Sequence, residues 1–264
     1  SKVFLAGSEV YSTIQNSVFN IETAVGDDVF HLKSNTEYTG NLVALNASNL
    51  EQTGTGTKVS IAGKLGFKGV INGNEGSDTV QLSNRSEAFF LHDAYSDFHE
   101  SVTLNADNKG MLSAKRISNI ENILAGGGDD IIDLTSPDYL VDINGIQIYG
   151  ESGDDVLWGA NNDEHLNGGS GDDVLFGGSG DDTLIGGVGS DVFEFVDDVT
   201  NGNDTILDFS ITEDSIRIYH TNGVERLSEA DFQENVLTMN GGSLHFISET
   251  IMNFGDLHID YHLI

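Results

Sequence analysis

Five nine-residue segments follow one another without a gap from Gly150 to Glu194. They begin Gly150-Glu-Ser-Gly-Asp-Asp155-Val-Leu157, Gly159-Ala-Asn-Asn-Asp-Glu164-His-Leu166, Gly168-Gly-Ser-Gly-Asp-Asp173-Val-Leu175, Gly177-Gly-Ser-Gly-Asp-Asp182-Thr-Leu184 and Gly186-Gly-Val-Gly-Ser-Asp191-Val-Phe193. Glycine recurs at positions 1, 2 and 4, an acid at position 6 and an apolar residue at position 8. A flexible Gly/Asp linker has no use for a regular apolar position, so the period argues for a packed structure. The pattern places position 8 in a short strand that points inward. Two segments then make one coil, and successive turns alternate between two sides. The turns 150–155, 168–173 and 186–191 are expected to stack on one side, and 159–164 and 177–182 on the other.

The residue types suit a hard cation. Glycine tolerates positive φ, so the chain can turn tightly and bring carbonyl oxygens close to an ion. The acid at position 6 adds a carboxylate, and calcium takes 6–8 oxygens from carboxylates and carbonyls together. Magnesium demands a stricter octahedron and gives up its water reluctantly.

The segments resemble the RTX calcium-binding nonapeptide repeat. The resemblance implies an all-β fold, a calcium-bound parallel β-roll joined to an irregular calcium-stabilised β domain, with several Ca2+ ions between stacked turns. The metal-site candidates in the array are Gly150, Gly153, Asp155, Glu164, Gly168, Gly171, Asp173, Gly177, Gly180, Asp182, Gly186, Gly189 and Asp191. The stretch Asn201-Gly-Asn-Asp204-Thr-Ile-Leu-Asp208-Phe209 is similar to the flank that closes such rolls, which carries the assignment to Asp204 and Asp208, and with less support to Asp214. The second segment departs from the pattern: Ala160, Asn162 and Glu164 replace Gly, Gly and Asp, so a site there is expected to be weaker or distorted.

Positions 4 to 8 of the motif also occur singly upstream. They appear as Gly26-Asp-Asp28-Val-Phe30, Gly76-Ser-Asp78-Thr-Val80 and Gly128-Asp-Asp130-Ile-Ile132, adding Gly26, Asp28, Gly76, Asp78, Gly128 and Asp130 to the metal candidates. A longer echo links Phe19-Asn-Ile-Glu22 to Ser118-Asn-Ile-Glu121, each preceding one of these turns. Strand-like runs at Asn41–Leu45, Lys58–Ile61 and Ser101–Leu104 lie between. Three regions are therefore expected: 1–145, irregular β structure with isolated calcium turns; 146–218, the roll; and 219–264, a cap. The cap carries a strand pattern at Ser243–Ile247 and a short helix at Ser228–Gln233 with Ser228 as N-cap.

Charge narrows the partners. The 43 acids against 11 bases give a net charge of −32, and no Lys or Arg occurs between Ile117 and Ile216. Such a chain repels itself when folded, and bound divalent cations remove that repulsion. Nucleic acid and anionic membrane are poor partners for it. There is no cysteine, and neither a transmembrane run nor a signal peptide is evident. The opening Ser1-Lys-Val-Phe, without Met, reads as a piece of a longer chain.

No catalytic signature accompanies the repeats. His99-Glu100 is followed by Ser-Val-Thr rather than a second ligating histidine, and the Gly-Ser-Gly triplets belong to the turns. The reading is therefore non-enzymatic. Ala88–His99 concentrates aromatics, histidines and acids, and His92, Asp93, Tyr95, Asp97 and His99 are candidate ligand-binding residues, set against the plainer reading of core-filling aromatics. Trp158 falls at position 9, which tends to face outward, and is a candidate partner anchor or a packing residue.

The resemblance is most like the C-terminal region of a large bacterial RTX adhesin. It implies a secreted, cell-surface module exported by a type I system, a monomer within its longer chain, gripping a peptide or glycan on another cell. The alternatives are a purely structural or secretion module, and an accessory domain of a secreted hydrolase.

Overall fold

A computed structural model of the chain describes residues 2–5, 10–13, 18–23, 27, 29–33, 40–45, 56–61, 63–66, 68–90, 101–103, 115–135, 140–141, 145–196, 202–220, 227–239, 241–247 and 252–263. Short strands connected by tight turns wind into stacked coils. In the array each coil has two strands. His165–Ser170 and Val174–Phe176 form one coil, and Thr183–Val188 and Val192–Val196 form the next. Like strands of successive coils pair in parallel, so Leu166 faces Leu184 and Leu157 faces Leu175.

Position 8 is the reason the coils cohere. Leu157, Leu166, Leu175, Leu184 and Phe193 are all fully buried, in one apolar cluster that also takes in Ile123, Ile132, Ile148, Ile206 and Ile216. Burying each such side chain stabilises the fold by about 1.5–3 kcal/mol.

The two sheets run on past the array in both directions. One holds Glu87–Phe90, Ile131–Asp133, Val156–Trp158, Val174–Phe176, Val192–Val196, Ser215–His220 and Ile259–Leu263 in succession. The other holds Val29–Lys33, Thr79–Gln81, Asn122–Gly127, Gln147–Ser152, His165–Ser170, Thr183–Val188, Gly202–Ile206 and Gly242–Phe246. Upstream coils gain a third strand: Val18–Thr23, Lys68–Asn72, Lys115–Ser118 and Leu140–Val141 pair in parallel as a further sheet. The turns at Asp78 and Asp130 are therefore not isolated, as the sequence reading had them. They sit in coils stacked on the array, because their flanking strands pair across gaps too long for a local motif to reveal. No break in sheet pairing marks residue 145.

Two insertions leave the coils and pair with each other. Gly40–Leu45 pairs antiparallel with Gly56–Ile61, and Ser101–Thr103 pairs parallel with Gly40–Leu45, giving a separate three-stranded sheet. These strands match the expected runs closely.

At the C-terminal end, Gly242–Phe246 and Ile259–Leu263 supply a last coil, and the antiparallel strands Val236–Met239 and Phe232–Gln233 fold back on the edge. Antiparallel closure removes an edge that would otherwise template further pairing. The expected helix at Ser228–Gln233 is shorter, a single 3₁₀ turn at Glu229–Asp231 that runs into a strand. Its N-cap is as expected: the Ser228 amide and Oγ both donate to Asp231 Oδ2 at 2.8 Å. Among the described residues no helix is long and apolar enough to cross a membrane.

Candidate metal centre

The position-6 acids form hydrogen-bonded ladders along the two sides of the roll. On one side the Asp155 amide donates to Asp173 Oδ1 (2.8 Å), that of Asp173 to Asp191 Oδ1 (2.9 Å) and that of Asp191 to Asp214 Oδ1 (3.0 Å). The same ladder continues upstream, from the Asp130 amide to Asp155 Oδ1 (2.7 Å) and from the Glu87 amide to Asp130 Oδ1 (2.6 Å). On the other side Glu164 donates to Asp182 (2.8 Å) and Asp182 to Asp204 (3.0 Å). The turns stack alternately, as the nine-residue period requires.

Position 5 builds a second ladder in the opposite sense. The amides of Asp154, Asp172 and Ser190 donate to the carboxylates of Asp129, Asp154 and Asp172 at 2.8–3.1 Å, and Asp181 and Asn203 do the same toward Asp163 and Asp181. These acids face solvent, whereas those at position 6 are buried.

Each position-6 aspartate of the array uses one oxygen in its ladder and leaves the other to be satisfied, and Glu164 does the same with one oxygen bonded in its own turn. Oδ2 of Asp130, Asp155, Asp173, Asp182 and Asp191, and Oε1 of Glu164, are buried with no hydrogen-bond partner among the described residues. A buried, unsatisfied charged oxygen is costly. Burial is the largest influence on these groups, pushing Asp155 and Asp182 up to about 7, Asp173 and Asp204 to about 8 and Asp191 to about 6. Neighbouring carboxylates add to the rise.

The position-1 glycines open the space beside these oxygens. A Cβ on Gly168 would overlap Asp173 Oδ2 and crowd the Gly186 carbonyl, and one on Gly150 would overlap Asp155 Oδ2 and the Gly168 carbonyl. Carboxylate and carbonyl oxygens thus converge on one small volume per turn pair. At position 4, Gly171 has φ +131°, and a side chain there would collide with the Gly153 carbonyl. Among the described residues no three His, Cys, Asp or Glu side chains converge on one point. The donor set is instead mixed carboxylate and backbone carbonyl, which fits calcium and does not fit a soft or imidazole-bound metal.

The ladder includes residues that the sequence reading left out. Glu87 lies in a turn without glycine, Ser83-Asn-Arg-Ser-Glu87, yet Ser86 Oγ accepts the Asp129 amide (2.9 Å) where an aspartate does so elsewhere. Glu121 Oε2 accepts the Asp78 amide at 2.6 Å. The echo of Asn-Ile-Glu before two turns was the signal that could have found Glu121. Asp214 ends its ladder, with Oδ2 accepting from the Ser210 amide at 2.7 Å. Asp208 stands apart. It is exposed, and its two oxygens accept the amides of Gly186 (3.0 Å) and Gly187 (2.8 Å), so it braces a turn from outside rather than forming a rung.

Asp78 is fully buried, with Gly76 in its turn, and the Ser77 amide donates to Asp27 Oδ1 (2.8 Å), which places the 27 turn next in the stack. Gly26 and Asp28 lie outside the described residues, as do His92, Asp93, Tyr95, Asp97 and His99. Trp158 does not face outward to solvent: it is fully buried, paired in register with Asp133 and Phe176, because the face of the sheet turned away from the core is itself covered here.

Glu164 behaves differently from the aspartates. Its Oε2 curls back to the Ala160 amide of its own turn at 3.0 Å. Glu164→Asp removes the extra methylene and recreates the common rung. The expected outcome of a calcium titration followed by circular dichroism is an unchanged or lower midpoint. A raised midpoint would mean that the reach to Ala160 matters more.

A family model for the RTX calcium-binding nonapeptide repeat matches residues 147–163 and 158–193, in four copies. Comparison with curated proteins gives no match. Among solved structures, the extracellular lipase LipA from Serratia marcescens aligns with 96% of this chain and 42% of its own at 14% identity, with a TM-score of 0.23, too low to bear on fold or function. The chain thus spans less than half the length of that lipase. With the ladders, the glycine cradles and this match together, residues 147–193 are a run of RTX calcium-binding nonapeptide repeats folded as a parallel β-roll.

Proposed function

We propose that the chain is a calcium-dependent ligand-binding module of a secreted bacterial RTX adhesin, exported by a type I system, folding on calcium outside the cell and holding a peptide or glycan there. The module itself is non-enzymatic and monomeric within a longer chain. The supporting observation is the separate three-stranded sheet built by two insertions. In solenoids, insertions gather on one face, and that face is often the binding face. A module that served only to fold and be exported has no need of it. The Ala88–His99 stretch begins in the strand Glu87–Phe90 and leads directly into Ser101–Thr103 of that sheet.

A second reading has comparable support: a structural or secretion module whose acidic chain stays open where calcium is scarce and folds where it is abundant. The ladders alone are enough for that. The two separate on glycan and peptide arrays probed with calcium, with EDTA, and with the double variant Asp93→Ala, Tyr95→Ala. Calcium-dependent binding lost in the double variant supports the adhesin module. Binding that survives EDTA, or no binding to any array, leaves the structural module.

A further inference from the structure

The two sides of the roll are not equivalent. In successive coils the residue before the strand passes its carbonyl to an amide of the next coil's strand. On the side containing Glu164, these carbonyls belong to Asp78 (to the Asn122 amide, 3.0 Å), Glu121 (to Gln147, 2.8 Å), Ile146 (to His165, 2.9 Å), Glu164 (to Thr183, 2.9 Å) and Asp182 (to Thr205, 2.8 Å). The backbone position is the same each time. Its side chain is a carboxylate at four of the five and isoleucine at Ile146.

Ile146 is fully buried and belongs to the main apolar cluster, with Ile120, Ile148 and Leu166. It brings no oxygen where the other rungs bring two. The rungs flanking it are both glutamates: Glu121 accepts the Asp78 amide as an ordinary rung does, whereas Glu164 curls back to the Ala160 amide of its own turn. On the opposite side the ladder from Glu87 to Asp214 passes through the same coils without a gap.

We propose that Ile146 is a metal-free rung, closed by apolar packing in place of calcium, so that the calcium column on this side is split into an upstream section at Asp78 and Glu121 and a downstream section from Glu164 to Asp204. Isoleucine cannot ligate a hard cation, and burying it needs no neutralising charge. The strands meeting at this rung, Asn122–Gly127, Gln147–Ser152 and His165–Ser170, therefore hold together at calcium concentrations that leave the wholly acidic coils downstream open.

Two measurements on the intact chain test this. In a calcium-replete crystal, anomalous scattering should show metal at the Asp155, Asp173 and Asp182 rungs and none at the rung of Ile146. In hydrogen exchange at graded calcium, peptides covering 145–149 should become protected at a several-fold lower concentration than those covering 174–192. Ile146→Asp should abolish that lead and place an additional metal at the rung, while Ile146→Val should keep wild-type behaviour. A metal peak at the Ile146 rung of the wild-type protein, or protection of both regions at the same calcium concentration, overturns the proposal. Both wild-type measurements stand whether or not Ile146→Asp folds.

Discussion

Removing calcium with EDTA at neutral pH should abolish the β-type circular dichroism of the roll, and restoring it should bring the signal back. The reason lies in the buried rungs. Asp130, Asp155, Asp173, Asp182 and Asp191 each keep a buried oxygen that nothing among the described residues satisfies, and no Lys or Arg lies between Ile117 and Ile216 to offset them. A ligand that binds only the folded state stabilises it by about 2.7 kcal/mol at 100 times its Kd, and several sites add. Extracellular calcium modules work with Kd values of about 10⁻⁴–10⁻³ M, so millimolar calcium is the relevant range. Magnesium should substitute poorly. Within this response Asp173→Ala should stand out. Asp173 accepts from the Asp155 amide, donates to Asp191 and lines the cradle at Gly168. Its loss should raise the calcium midpoint by about tenfold, the equivalent of about 1.4 kcal/mol. An unchanged spectrum in EDTA, or an unchanged midpoint for Asp173→Ala, would remove calcium from these rungs.

Protons should compete with calcium for the same oxygens. Burial raises the carboxyls of Asp191 to about 6, Asp155 and Asp182 to about 7, and Asp173 and Asp204 to about 8. In the unfolded chain these groups titrate near the ordinary value of 3.8. The folded, metal-free roll therefore binds more protons than the unfolded chain between about pH 4 and 8, and its stability falls as pH rises through that window. Without calcium the β-type circular dichroism of the roll should be strongest at the acid end and be lost as pH rises to neutrality. With calcium the trend should reverse, since the metal must displace protons at low pH. Calcium binding near pH 6.5 should release protons, read by calorimetry in buffers of different ionisation enthalpy. A binding heat independent of buffer, or a metal-free circular dichroism signal that grows with pH, would show that the rungs are already ionised before calcium arrives.

The array, Trp158 apart, was legible in the amino-acid sequence because its information is local. A nine-residue period fixes which side chain points inward, which turn lies above which, and which acid reaches the space opened by glycine. Leu157, Leu166, Leu175, Leu184 and Phe193 are buried, and Asp155, Asp173 and Asp191 share one side, as that period demands.

Only the tertiary structure decided where the ladders begin, end and break. Glu87 joins through a hydrogen bond from its backbone amide to Asp130 Oδ1, 43 residues on, from a turn with no glycine to mark it. Asp208, placed among the ligands by its likeness to a closing flank, accepts the Gly186 and Gly187 amides, while Asp214 takes the rung next to Asp191. Ile146 looks like an ordinary core residue until strand pairing puts it between two glutamates in a column of carboxylates. A rung is defined by which backbone stacks on which, and parallel pairing sets that across loops of unequal length. Sequence spacing counts residues along the chain; calcium responds to the oxygens brought together across it.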